Sequence, residues 1–138
     1  MRQPNTITIA TYLLSACLLA GCATPSPSAC RPGERAIVVD TLYFGTQMSL
    51  RTVSADEWAN FLRNQVTTAF PNGFTTWTTI GQSRRGDGST VYESTHVLQI
   101  SHPDSPSDDQ ALKRLSFEYR RLYQQDSVLH LRTPACVL

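Results

Sequence analysis

The chain has 138 residues, a hydrophobic fraction of 41% and a net charge of +1 from 12 basic and 11 acidic residues. That length holds one domain with a modest core. The balanced charge argues against a nucleic-acid binder, which would show a basic face or stripe.

Arg2 is the only charge in the first 30 residues, and the run from Ile7 to Ala20 is mostly apolar. Such a run is too short to cross a bilayer, which takes about 20 apolar residues. A basic start, a short apolar run and small residues at its end describe an export signal. Its ending, Leu19-Ala20-Gly21-Cys22, resembles the bacterial lipobox. There the signal is cut just before the cysteine, the thiol takes a diacylglycerol and the new amino terminus is acylated. Residues 1–21 are therefore expected to be a lipoprotein signal peptide carrying Cys17 away with it, and Cys22 to be the lipidation site. The plainer alternative is an ordinary signal peptide with an incidental cysteine. Acyl chains at about 0.8 kcal/mol per buried CH₂ hold a protein on a membrane. By resemblance to bacterial lipoproteins, Ala23 is not a residue of inner-membrane retention, which implies the outer membrane, facing the periplasm. Residues 22–34, with ATPSPSACRP, form a Pro/Ser-rich tether.

Residues 35–138 are the folded domain. Ile37 to Gly45, IVVDTLYFG, reads as a strand. Ser54 and Glu57 make a capping box for a helix whose stripe is Trp58, Phe61, Leu62, Gln65, Val66 and Ala69, with Val53 stapled against Trp58. Phe70-Pro71-Asn72-Gly73 ends it. Phe74 to Gln82 is a threonine-rich strand, residues 83–88 a loop and Thr90 to Ser101 a further strand. Ser105-Pro106 opens a second helix with Asp108 and Asp109 in its first turn and a stripe of Leu112, Leu115, Tyr119, Leu122 and Tyr123. Ser127 to Thr133 is the last strand.

The order β-α-β-β-α-β predicts an α+β, ferredoxin-like fold. Right-handed crossovers then give a four-stranded antiparallel sheet in the order 4-1-3-2, with both helices on one face. In that topology the start of strand 1 lies beside the end of strand 4. Cys30 precedes the one and Cys136 follows the other, so a Cys30–Cys136 disulfide is expected in an oxidising compartment.

The segments LYFG (42–45), EWANFL (57–62), AFPNGFT (69–75), GQSRR (81–85), GSTVYE (88–93) and YRRLYQQDSVL (119–129) resemble the bacterial family named domain of unknown function 3574. The resemblance spans nearly the whole folded part and implies no mechanism. The family pattern often has Arg before the Phe-Pro and Trp after the Gly-Gln; Ala69 and Ser83 stand there in this chain.

No nucleophile elbow is present, and no thiol of the mature chain stands at a useful helix start. His96, His102 and His130 are spaced too irregularly for a metal-binding helix pair, and two distant cysteines make no zinc knuckle, so no metal or cofactor is expected. Gly86-Asp87-Gly88 lacks the following helix that a phosphate cradle needs. Period-two parity points Phe74, Thr76, Thr78, Ile80, Leu98, Ile100, Leu129 and Leu131 toward the helices. The open face would then carry Trp77, Glu93, Thr95, Val97 and Gln99 with His130 and Arg132; if Asp40 points outward, so do Leu42 and Phe44. Trp77, Glu93, His130 and Arg132 form the candidate binding face, set against a plain solvated face whose charges pair across strands. The expected function is a membrane-anchored, non-enzymatic domain binding an envelope protein or a second copy. The alternative is a small enzyme of the dimeric α+β-barrel type, with an organic ligand over the sheet and Glu93 as acid or base.

Overall fold

The computed structural model describes residues 30–138 apart from Arg85. The expected signal peptide, Cys17, the lipidation site Cys22 and the tether up to residue 29 lie outside the described residues. The elements are β1 (Arg35–Gly45), α1, β2 (Thr75–Arg84), β3 (Thr90–His102), α2 (Pro106–Tyr123) and β4 (Leu129–Val137). α1 is composite: Ala55–Phe61, a wider turn at Leu62–Val66, and Thr67–Ala69. The sheet order is β2-β3-β1-β4 with every neighbouring pair antiparallel. Read from the other edge, this is the order 4-1-3-2 that the crossover rule gives.

Both helices cover one face. Leu42 and Phe44 from β1 and Leu98 and Ile100 from β3 join Trp58, Phe61 and Val66 from α1 and Leu112, Leu115 and Tyr119 from α2 in a single core. Phe44 is its centre, with ring centroids 4.6 Å from Tyr119, 5.4 Å from Trp58 and 5.8 Å from Phe61. Tyr119 is fully buried, and its hydroxyl donates to Gly45 O at 2.8 Å. The Tyr123 hydroxyl donates to Glu57 O at 3.0 Å, which joins α2 to the first turn of α1. Burial pushes the phenol of Tyr119 well above the ordinary range, so both groups stay donors.

Local signals set the helix ends. Ser54 and Glu57 form the reciprocal capping box, and Arg51 forks onto the Glu57 carboxylate at 2.7 and 2.8 Å. The Arg51 hydrogen bonds and the Ser54 N–H draw the Glu57 carboxyl down to about 2. Within α1 the Thr67 N–H donates to Leu62 O, five residues back, so one extra residue enters the turn. The insertion moves the buried stripe from Phe61 to Val66 and Phe70, leaving Leu62 and Gln65 half-exposed. On α2, Leu122 is 42% exposed, and Ala111 takes a place in the buried stripe. β4 starts two residues later than its sequence pattern suggests and runs through Pro134, which an edge strand tolerates because one side of it needs no donor.

Before β1, Glu34 N–H closes a turn onto Arg31 O, with Gly33 at φ +91. The turn folds Cys30 back toward Cys136, which faces Ala36 across the β1–β4 ladder. The sulfurs lie 2.13 Å apart and the Cα atoms 5.7 Å apart, closing 106 residues of chain. Among the described residues no helix is long and apolar enough to cross a membrane.

The cross-link has a direct check. Mass spectrometry of the non-reduced protein should yield a linked Cys30–Cys136 peptide, and Cys136→Ser should lower stability to urea by about 2–5 kcal/mol. Two freely alkylated thiols would disprove the bond.

Candidate functional site

Pairing register decides which side chains share a face. Leu42 lies opposite Leu98 on β3 and His130 on β4, and Asp40 lies opposite Ile100 and Arg132. Leu42 and Phe44 are in the core, so Asp40, His130 and Arg132 stand on the helix side as well. The expected binding face is therefore split. Trp77 and Glu93 are on the open face; His130 and Arg132 are not. Leu129 and Leu131, expected inside, are on the open face instead, 56% and 48% exposed.

The cause is Asp40. Its carboxylate is fully buried and takes four donors. His130 Nε2 donates to Oδ1 at 2.6 Å and His102 Nε2 to Oδ2 at 2.7 Å. Arg132 forks onto both oxygens, Nε and Nη2 each at 3.1 Å. The guanidinium continues to Asp104 and Asp109, and His102 Nδ1 reaches Pro103 O at 2.7 Å and Asp108 at 3.3 Å. The cluster thus joins β1, β3 and β4 to the first turn of α2. Burial would raise the Asp40 carboxyl, but the hydrogen bonds from Arg132, His130 and His102 outweigh it and hold the carboxyl below 3.8. With two donors on each oxygen, the carboxylate acts as a clamp between these elements. Sequence reasoning left the side of Asp40 open; the structure puts it on the helix side with Leu42 and Phe44, and the cluster around it was missed. The available signal was one acid in the middle of an apolar strand, which must find cations if the strand is buried.

His96 belongs to the same side. It stacks on Trp58 at 4.5 Å with 6° between the rings, and its Nδ1 meets Thr78 Oγ1 at 3.0 Å. Burial pushes its pKa below 6.5.

Among the described residues no helix covers the open face. One row crosses all four strands: Leu129, Tyr43, Val97 and Trp77. Val97 is fully buried between its neighbours, while Trp77 is 42% exposed. Along β1 the face continues through Ile37, Val39 and Thr41, and along β4 through Leu131, Thr133 and Ala135. Within the described strands its charged residues are Arg35, at the start of β1, and Glu93, near the start of β3. Beyond the row, an open cleft of about 570 Å³ is lined by Tyr43, Glu93, Thr95, Gln125 and Leu129 among others. A Cβ at Gly45 would sit 3.2 Å from Glu93 Oε2 and 2.9 Å from Gln125 Oε1, so glycine there leaves room for the carboxylate over the end of β1. Gln47 N–H approaches Glu93 Oε2 at 3.4 Å. Glu93 and His130 do not share this cleft.

A family model described as "Protein of unknown function (DUF3574)" matches residues 39–138. No curated protein matches the chain. Among solved structures, a phage SAM lyase in complex with S-methyl-5'-thioadenosine is similar at a TM-score of 0.55 and 14% identity, over 73% of this chain and 88% of that one. The phage SAM lyase in its apo state is similar at a TM-score of 0.50 and 14% identity, over 72% and 87%. At that identity the likeness is one of fold.

The clamp yields a pH signature. A carboxyl held below its unfolded value stabilises the fold above that value, and the contribution is lost as pH falls through the folded one. Stability should therefore drop below about pH 4. Asp40→Asn should cost about 3–5 kcal/mol at neutral pH and flatten that acid limb, read by urea titrations across pH. An unchanged limb would show that Asp40 is not the group responsible.

Proposed function

The chain belongs to the DUF3574 family of proteins of unknown function, and we propose that it is a lipid-anchored protein of the bacterial cell envelope whose small, ferredoxin-like domain binds a partner through its open sheet face. It performs no catalysis in this reading. The supporting observation is the uncovered row Leu129–Tyr43–Val97–Trp77 on a face whose strands carry only two charged residues. Uncovered apolar surface of that kind marks contact sites in soluble domains. The anchor rests on the Leu-Ala-Gly-Cys ending of the apolar run, and the outer-membrane, periplasm-facing location on Ala23. The domain then stands off the membrane on a short proline-rich segment, with the sheet face free to meet its partner.

Two variants test the two halves. Cys22→Ser should leave the membrane fraction or stay unprocessed; normal fractionation with an acyl label retained would remove the anchor. Trp77→Arg should keep its circular dichroism while losing self-association or partner recovery. A wild-type protein that associates with nothing would count against the binding reading.

A second reading is a small enzyme of the dimeric α+β-barrel type, acting on an organic ligand over the sheet. The cleft beside Glu93 and the fold likeness to a phage SAM lyase support it. Consumption of SAM by the purified chain, lost in Glu93→Gln, would favour this reading over the first.

A further inference from the structure

The two charges of the open face stand at opposite ends of one strand. Arg35 begins β1, and the Glu93 carboxylate lies over Gly45, where β1 ends. Neither is ion-paired among the described residues: Glu93 meets only the Gln47 N–H, and Arg35 has no side-chain partner. Both lie at the rim of a face that is otherwise apolar or neutral. From this placement we infer that the occupant of the open face is a second copy of the same chain, packed sheet to sheet with its β1 running antiparallel to the first. The inference rests on the binding reading above and names its partner.

The geometry is self-complementary in one orientation. A two-fold axis lying between the sheets, across the strands and through the middle of β1, exchanges residue 35 with residue 45. Each Arg35 then faces the Glu93 carboxylate of the other copy, twice over, as an isologous interface requires. An axis along the strands would put Arg35 over Arg35 and Glu93 over Glu93, which like charge disfavours. Packed sheets lie about 10 Å apart, a gap that a long arginine side chain can bridge. Under the same axis the row meets the other end of the face, Tyr43 over Ile37 and Leu129 over Ala135 of the other copy.

The contact is that of a modest, reversible pair. Under this axis β1 overlaps itself along its whole length, β3 and β4 overlap in part and β2 does not. With strands ~4.8 Å apart and ~3.3 Å per residue, the shared plan area is roughly 360 Å² per copy, the scale of weak, transient contacts. Attachment to one membrane would raise the effective concentration of a modest pair.

Sedimentation equilibrium of the full chain in detergent tests the inference, with circular dichroism confirming that each variant folds. The wild type should dimerise. Arg35→Glu and Glu93→Arg should each weaken the dimer by roughly tenfold, and the double variant should recover most of that loss. A double variant no tighter than the singles overturns the antiparallel two-fold arrangement. A wild type that stays monomeric, yet captures a different envelope protein in a Trp77-dependent way, overturns the second-copy inference and leaves the binding reading in place. A folded wild type that neither dimerises nor captures anything overturns both.

Discussion

Much of this molecule follows from where one carboxylate is forced to sit. Phe44 and Leu42 belong in the core, since each side chain contributes on the order of 1.5–3 kcal/mol when buried. Alternation along β1 then carries Asp40 to the same side, with no exposure to solvent. A lone carboxylate there would be prohibitive, so β4 must present hydrogen-bond donors to it. His130 and Arg132 do so, and His102 reaches it from β3. Because strand parity is rigid, the leucines between them turn outward. The core residues thus fix Asp40, Asp40 fixes β4, and β4 completes the apolar character of the far face.

This chain of dependence also explains what could be read from the sequence. Both helices were legible, with their caps at Ser54 and Ser105, because periodicity and capping are local. The sheet order was legible because crossover handedness leaves few choices. The side on which β4 faces was not. Leu129 and Leu131 look like core residues by any local rule. What overrides them is a pairing 90 residues away in sequence, between His130 and Asp40. The extra residue in α1 is similar: Thr67 bonding back to Leu62 has no compositional mark, and it appears once Val66 and Phe70 must both reach the core. Trp77 and Glu93 were placed correctly because β2 and β3 form a hairpin, whose parity is fixed by its own alternation.

The two faces of the sheet therefore have opposite roles from those that polarity alone would assign. The helix-covered side holds the buried charges, joined to α2 through Asp108 and Asp109. The uncovered side holds aliphatic and aromatic groups with a charge at either end. Hydrogen bonding is satisfied internally on the first, and contact area is left over on the second. A partner on the open face would accordingly leave the Asp40 clamp intact.

The corner held by Cys30 and Cys136 also governs how the domain bears load. Any force arriving through the preceding residues enters at Cys30, ahead of β1, which is a central strand flanked by β3 and β4. Without a cross-link, such a force would peel the β1–β4 ladder from the Arg35–Val137 pair inward, one hydrogen bond at a time. With the sulfurs joined, the weakest corner cannot open first, and tension divides between two strands. The fold is thereby mechanically closed where it would be held.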